Sequence, residues 1–291
     1  MKPEQQKKIL SQIIGLIETH GSNWIKPWEG GASFARPYNA SSKRKYNGIN
    51  ILILAAQGYA DPRWDTYKGW QAKGLQVGKG VKSTTILAPQ SFKKTDDNGD
   101  VEYIFGGFRP VSVFNAVQVG AEPLPVPEKV ERDPAERIAE IEAFIAKTGA
   151  DIRIGGDVAA YYPSGDYITL PPLSAFHGSP TSPAAECYYS TALHELAHWT
   201  GSKTRLNRLT NAGFGTEGYA KEELVAELSA CFLCLDLGIS SQPRPDHAAY
   251  LGSWLGRLKG KDGWAFLTEA QRHANRAVDF LTALQSQEEA A

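Results

Sequence analysis

Three cysteines in 291 residues, Cys187, Cys231 and Cys234, are too few and too clustered to staple a fold. Burial of apolar surface must hold the chain together instead. No apolar run approaches the roughly 20 residues of a membrane span, and the opening Met1-Lys2-Pro3-Glu4-Gln5-Gln6-Lys7-Lys8 leads into no secretion-signal core. A cytoplasmic protein without a membrane partner is expected. The formal net charge is only -1, which excludes an acidic imitator of DNA, and no internal repeat or long low-complexity tract interrupts the chain. What is present, 42% hydrophobic and 22% charged residues, describes a globular protein long enough for two domains.

The small net charge conceals a division. Residues 1–120 carry 16 basic and 9 acidic side chains, a balance of +7, whereas residues 121–291 carry 15 and 23, a balance of -8. From Arg36 to Lys94 the count is 11 basic to 2 acidic, with four of the seven tryptophans in the same first half. Cations can follow a phosphate backbone while aromatic faces stack on unpaired bases, the combination that single-stranded nucleic acid requires. The candidate contacts are Trp24, Lys26, Trp28, Arg36, Lys43, Arg44, Lys45, Tyr46, Asn50, Trp64, Lys68, Lys79 and Lys82. Ser41 to Gly48 reads as a basic loop entering an apolar helix at Ile49–Gln57, and a helix amino terminus favours phosphate.

Periodicity organises the rest. Ile9, Leu10, Ile13, Ile14 and Ile17 predict a helix over residues 4–20. Thr84–Phe92, the turn Asp96-Asp97-Asn98-Gly99 and Val101–Phe105 predict a hairpin, with a further strand over about Pro110–Val119. The first domain is therefore expected to be α+β and to span residues 1–121. Glu122-Pro123-Leu124-Pro125-Val126-Pro127-Glu128 is a stiff linker, placed at 122–132, across which the charge changes sign. Residues 133–291 should form a mostly helical domain with a small sheet. Its helices start at Pro134, at Ser182-Pro183, at Lys221 and around Tyr250 and Trp264, and its hairpin is Ala159–Tyr162 with Tyr167–Leu170. Such an edge strand can hold extended peptide by strand addition. Gly201 is read as a left-handed helix cap, and Cys231 and Cys234, inside an apolar helix, as buried small hydrophobes rather than a redox pair.

His194-Glu195-Leu196-Ala197-His198 carries the chemistry. Histidines at i and i+4 share one helix face and can reach one cation, with the intervening glutamate beside it as a base. A catalytic zinc takes three protein donors and leaves a position for water, so a third donor is needed. Glu223, 25 positions after His198, is the choice, with Glu227 one turn along to orient a histidine. Glu222 and Glu227 stand as alternative ligands. The cofactor is read as Zn2+, with another divalent ion such as Mn2+ as the alternative. Glu195 would accept a proton from water and return it to a leaving amine. Tyr161, Tyr219, His177 and His247 remain open as oxyanion donors. Gly201–Tyr219, with Arg205, Asn207 and Arg208, reads as an active-site loop.

Trp24 with Lys26-Pro27-Trp28, Tyr46-Asn47-Gly48-Ile49-Asn50, Pro62-Arg63-Trp64-Asp65-Thr66, His194-Glu195-Leu196-Ala197-His198-Trp199-Thr200-Gly201 and Glu222-Glu223-Leu224-Val225-Ala226-Glu227 together resemble the ArdC antirestriction family along essentially the whole chain. The resemblance implies an amino-terminal single-stranded DNA-binding domain followed by a zincin-like metallopeptidase domain. It also implies carriage on plasmids or other mobile elements, binding of the DNA strand that enters a recipient cell, protection of that DNA from restriction, and a metal at His194, His198 and a later glutamate. Two functions are open, and a third, priming or other nucleotide transfer, is weaker because no paired-carboxylate or phosphate-loop motif supports it. One is a peptidase delivered by DNA to a protein substrate, DNA-bound or part of a restriction system. The other is a non-catalytic single-strand coat with a structural or vestigial metal site.

Overall fold

The computed structural model describes residues 3–21, 36–95, 101–124, 134–178, 183–209, 216–239 and 247–286. Two compact units emerge. The first gathers Met1–Ile13, Phe34–Tyr46 and Asn50–Val126, and the second Ile14–Ser33, Asn47–Ile49 and Pro127–Ala291. The fold class is α+β. Among the described residues no helix is long and apolar enough to cross a membrane.

The first unit contains most of helices α1 (Pro3–His20) and α2 (Ile49–Ala55), then α3 (Tyr67–Gln71), and strands β1 (Tyr38–Asn39), β2 (Arg63–Asp65), β3 (Thr84–Thr95) and β4 (Val101–Asn115). The sheet order is β1-β2-β4-β3, with β1 parallel to β2 and the other pairs antiparallel. The anticipated hairpin is present, with its turn at 96–100 outside the described residues. The separate strand expected over Pro110–Val119 is not: β4 runs unbroken to Asn115 and the chain then enters a 3-10 turn at Ala116–Val119. Asn115 causes the change. Its side chain accepts from Val117 N at 3.0 Å, Gln118 reaches back to the Asn115 amide at 2.8 Å, and Asn115 Nδ2 donates to the Asp61 carbonyl at 2.8 Å.

The second unit holds α4 (Pro134–Ala146), β5 (Asp151–Ile154), β6 (Ala160–Tyr162), β7 (Tyr167–Leu170), α5 (Ala184–Trp199), α6 (Glu217–Leu237), α7 (His247–Lys259) and α8 (Gly263–Ala283). The sheet order is β5-β7-β6, β5 parallel and β6 antiparallel to β7. Strand β5 escapes hydrophobic patterning because three of its four residues are exposed. Ile168 and Leu170 of β7 pack with Tyr189, Leu193, Leu196 and Trp199 of α5, Leu233 and Cys234 of α6 and Leu281 of α8. Helix α6 is buried continuously from Glu223 to Cys234, which makes it the central rod of the unit. It starts at Glu217 rather than Lys221 because Thr216 caps it, accepting from Tyr219 N. Cys231 and Cys234 are buried and not disulfide-bonded, and burial pushes the Cys234 thiol up to about 12, which leaves it inert.

Gly201 is a correction. Helix α5 ends through Thr200 in a right-handed conformation, and Gly201 is not among the residues of positive φ. Its role is steric: a Cβ there would lie 2.7 Å from Leu209 Cγ and 3.0 Å from the His198 carbonyl, where the following loop folds back onto α5.

Replacing Asn115 by Ala removes the cap and strands the half-buried Asp61 carbonyl. A loss of about 1–3 kcal/mol is expected in denaturant unfolding, whereas Lys68→Ala, at an exposed site, should change stability by less than about 0.5 kcal/mol.

Candidate metal centre

The i, i+4 spacing on α5 places both histidines at its crossing with α6, and the apolar residues between them, Leu196 and Ala197, are fully buried. His194 Nε2 and His198 Nε2 are 3.1 Å apart. Glu223 Oε2 lies 3.6 Å from His194 Nε2, and Glu223 Oε1 lies 3.5 Å from His198 Nε2. These are the edges that a tetrahedral ion with donor bonds of about 2.1 Å would span, roughly 3.4 Å. Among the described residues this is the group of three histidine, cysteine or acidic side chains that could hold a metal.

The outer nitrogens are held as well. His194 Nδ1 is 3.4 Å from Glu227 Oε2, and His198 Nδ1 is 3.1 Å from Glu222 Oε1. Each carboxylate is placed to fix its imidazole with Nε2 turned to the common point. Glu222 and Glu227, the alternative ligands, are thus found behind the rings. Burial pushes the His198 imidazole down, but Glu222 and Glu223 outweigh it and hold the pKa up to about 10. His194 is likewise raised, by Glu223 and Glu227 against burial. Burial would raise Glu223, yet the two imidazoles keep it well below the usual carboxylate range. With the Glu195 carboxylate 2% exposed beside them, the cluster is rich in negative charge and suits a divalent cation, which would displace protons on binding.

Glu195 stands outside the donor triangle. Its Oε2 accepts the Tyr161 main-chain N–H at 2.9 Å, so edge strand β6 is tied to the helix of the two histidines. The Tyr161 hydroxyl donates to Asp166 at 2.8 Å and accepts from Arg205 Nη2 at 3.2 Å. Arg205 also binds Asp166, donates from Nε to the Trp199 carbonyl at 2.6 Å and stacks 3.9 Å from the Trp199 ring. That guanidinium joins the end of α5 to the β6–β7 turn, where Asp166 takes a left-handed φ of 52°. Of the other oxyanion candidates, His177 is exposed, Tyr219 is half-buried on α6, and the His247 side chain lies outside the described residues.

Two family models divide the chain at the same place as its chemistry. Residues 3–129 match the N-terminal domain of anti-restriction factor ArdC, and residues 139–272 match a zincin-like metallopeptidase. The crystal structure of the antirestriction ArdC protein from the R388 plasmid, in its metal-free form, superposes with a TM-score of 0.76 at 34% identity, over 97% of this chain and 98% of that one. The chain belongs to the ArdC antirestriction family. The Mn(II)-bound structure of the R388 ArdC gives a TM-score of 0.75 over the same shares. An uncharacterized protein of Sinorhizobium fredii is 37% identical over 96% of this chain and 92% of its own length. DNA primase TraC of Escherichia coli is 39% identical over 99% of this chain, which spans only 28% of that primase.

In this ArdC-family chain the predicted DNA contacts fall into four groups. Trp24, Lys26 and Trp28 lie outside the described residues. Lys43, Arg44, Lys45, Lys68, Lys79 and Lys82 are exposed, while Arg36 and Tyr46 are half-buried, Arg36 donating to the Tyr46 carbonyl at 3.0 Å. Trp64 and Asn50 are core residues, 2% and 7% exposed. Trp64 meets Tyr59 edge-on, and Asn50 exchanges two hydrogen bonds, of 2.7 and 2.8 Å, with the Leu87 backbone, so neither side chain can meet a base in this fold. The basic loop is built around Asn39, whose Oδ1 accepts from Ser41 N, Ser42 N and Ser42 Oγ and whose Nδ2 donates to Asp65. Lys43 sits in it at a φ of 60°. Pattern reading placed Arg205 and Arg208 in an active-site loop without their partners, Asp166 and Glu222, and gave Asp166 no role.

Removing a divalent ion with chelator should lower the midpoint of thermal unfolding by roughly 5–10 °C, the response to about 2.7 kcal/mol of ligand stabilisation at 100-fold excess over Kd. In Glu223→Ala, midpoints with and without chelator should coincide in scanning calorimetry.

Proposed function

We propose that this chain is an antirestriction protein of mobile DNA, whose first domain (residues 1–121) binds the single strand entering a recipient cell. Its second domain (residues 133–291, after the 122–132 linker) is a metal-dependent peptidase acting in the cytoplasm. The observation that carries the reading is the donor triangle of His194, His198 and Glu223 with a buried carboxylate, Glu195, held beside it. Family membership supports the DNA half, and the zincin-like match supports the hydrolytic half. For the R388 relative, metal-free and Mn(II)-bound structures match this chain equally well, which favours a metal that serves chemistry over one that defines the fold.

His194, His198 and Glu223 would hold the cation, Zn2+ or Mn2+, which supplies Lewis acidity to a water and to a scissile carbonyl. Glu227 and Glu222 keep the imidazoles oriented. Glu195, fixed by the Tyr161 amide, accepts the proton of the attacking water and returns it to the leaving amine. The substrate is a protein on or near DNA, a restriction component included.

On the DNA side, Lys43, Arg44 and Lys45 are presented by a loop already ordered through Asn39, so little entropy is lost on meeting phosphate. That same pre-ordering favours a second reading, a single-strand coat that protects without hydrolysis. Priming is a weaker reading, since the chain spans only 28% of the TraC primase it resembles.

Glu195→Gln should retain metal and single-strand affinity while DNA-dependent autocleavage and protection fall by about 10²–10⁴. Full protection by that variant would leave the coat as the function. Reversing Lys43, Arg44 and Lys45 to Glu should weaken single-strand binding measured by anisotropy, and should flatten the slope of log K against log salt by about 0.7 for each phosphate no longer neutralised.

A further inference from the structure

Glu222 and Glu223 are neighbours on α6, and both carboxylates lie against the same imidazole, yet they face different nitrogens. Glu223 Oε1 is 3.5 Å from His198 Nε2, and Glu222 Oε1 is 3.1 Å from His198 Nδ1. Arg208 separates their roles. Its side chain is 3% exposed. Nε donates to Glu222 Oε2 at 3.0 Å and Nη2 to Glu222 Oε1 at 2.8 Å, a two-pronged grip that only a planar guanidinium can make. The same group is anchored on the end of α5, Nη1 donating to Thr200 Oγ1 at 2.6 Å and Nη2 to the Ala197 carbonyl. Thr200 Oγ1 donates in turn to the Ala197 carbonyl at 2.6 Å, which fixes the hydroxyl for Arg208.

We propose that Arg208 is a positioning residue that decides the ligand set of the centre: by occupying both oxygens of Glu222 it confines that carboxylate to the outer nitrogen of His198. Coordination is thereby left to His194, His198 and Glu223, with one position open to water. The assignment rests on the divalent-metal reading above. Without the grip, Glu222 is an anion at the edge of a cation site whose ring it already touches, free to swing in as a further donor and close the open position. A guanidinium serving only as a buried counter-charge would affect stability and leave coordination alone.

Co(II) loaded into the full-length protein separates these cases, because its visible absorption is strong in four-coordinate sites and weak at higher coordination. Wild type and Glu222→Gln should both show the intense spectrum. Arg208→Gln should lose intensity several-fold at full occupancy, and Arg208→Gln with Glu222→Gln should regain it, since the released side chain is no longer an anion. Arg208→Lys keeps the buried charge without the fork and covers the case in which Gln fails to fold there; it should lose intensity in the same direction. A wild-type spectrum in Arg208→Lys or Arg208→Gln, or no recovery in the double variant, overturns the assignment of Arg208 alone. Failure of the wild type to take up Co(II) overturns the metal reading itself.

Discussion

Charge that has been taken out of water must be answered on the spot, and at the crossing of α5 and α6 four carboxylates and two imidazoles have been taken out of water together. Burial of an isolated ion costs several kcal/mol even after relaxation, so each of these groups requires a partner at hydrogen-bonding range. The arrangement satisfies that demand in layers. Glu223 faces both inner nitrogens, Glu222 and Glu227 take the outer ones, Arg208 answers Glu222, and the Tyr161 amide answers Glu195. Apolar residues of α6 packed into the core bury its middle and carry Glu223 and Glu227 inward, and in the loop that folds back after α5 Arg208 meets Glu222 while Arg205 meets Asp166.

The inner part of this centre is legible in the chain because it is local. His194, Glu195 and His198 fall within one and a half turns of a helix, and Glu222, Glu223 and Glu227 fall within another, so helical period alone aligns each set. The two-domain plan is legible for a similar reason: composition, charge and proline content all change near residue 122. What the chain does not announce is long-range. Strand β5 has almost no buried side chain to mark it, and the end of β4 depends on one asparagine that reads equally well as a strand residue. Gly201 shows the same limit: the identity was informative, but the reason was the approach of Leu209 rather than a left-handed turn.

The aromatic first half teaches a different lesson. Enrichment in tryptophan and lysine is a sum over two populations, and only coordinates divide them. Trp64 and Trp70 build the core of the sheet, Trp70 donating to the Phe114 carbonyl at 2.9 Å, while the lysines and Arg44 stay outside. Tyr67, 43% exposed, and Phe92, 59% exposed, are aromatic faces left outside the core among the described residues.

The amide of Tyr161 gives the edge strand a further meaning. A strand edge usually offers its outward N–H to whatever arrives, but here that donor is already occupied by Glu195, and Pro163, two residues on, has no N–H to offer. The position of the Glu195 carboxylate and the position of the strand are therefore linked by one hydrogen bond. Asp166 and Arg205 fix the turn at the far end of that strand, so contacts at both ends of β6 bear on where the carboxylate sits. A substitution in that turn would reach the Glu195 carboxylate without touching His194, His198 or Glu223.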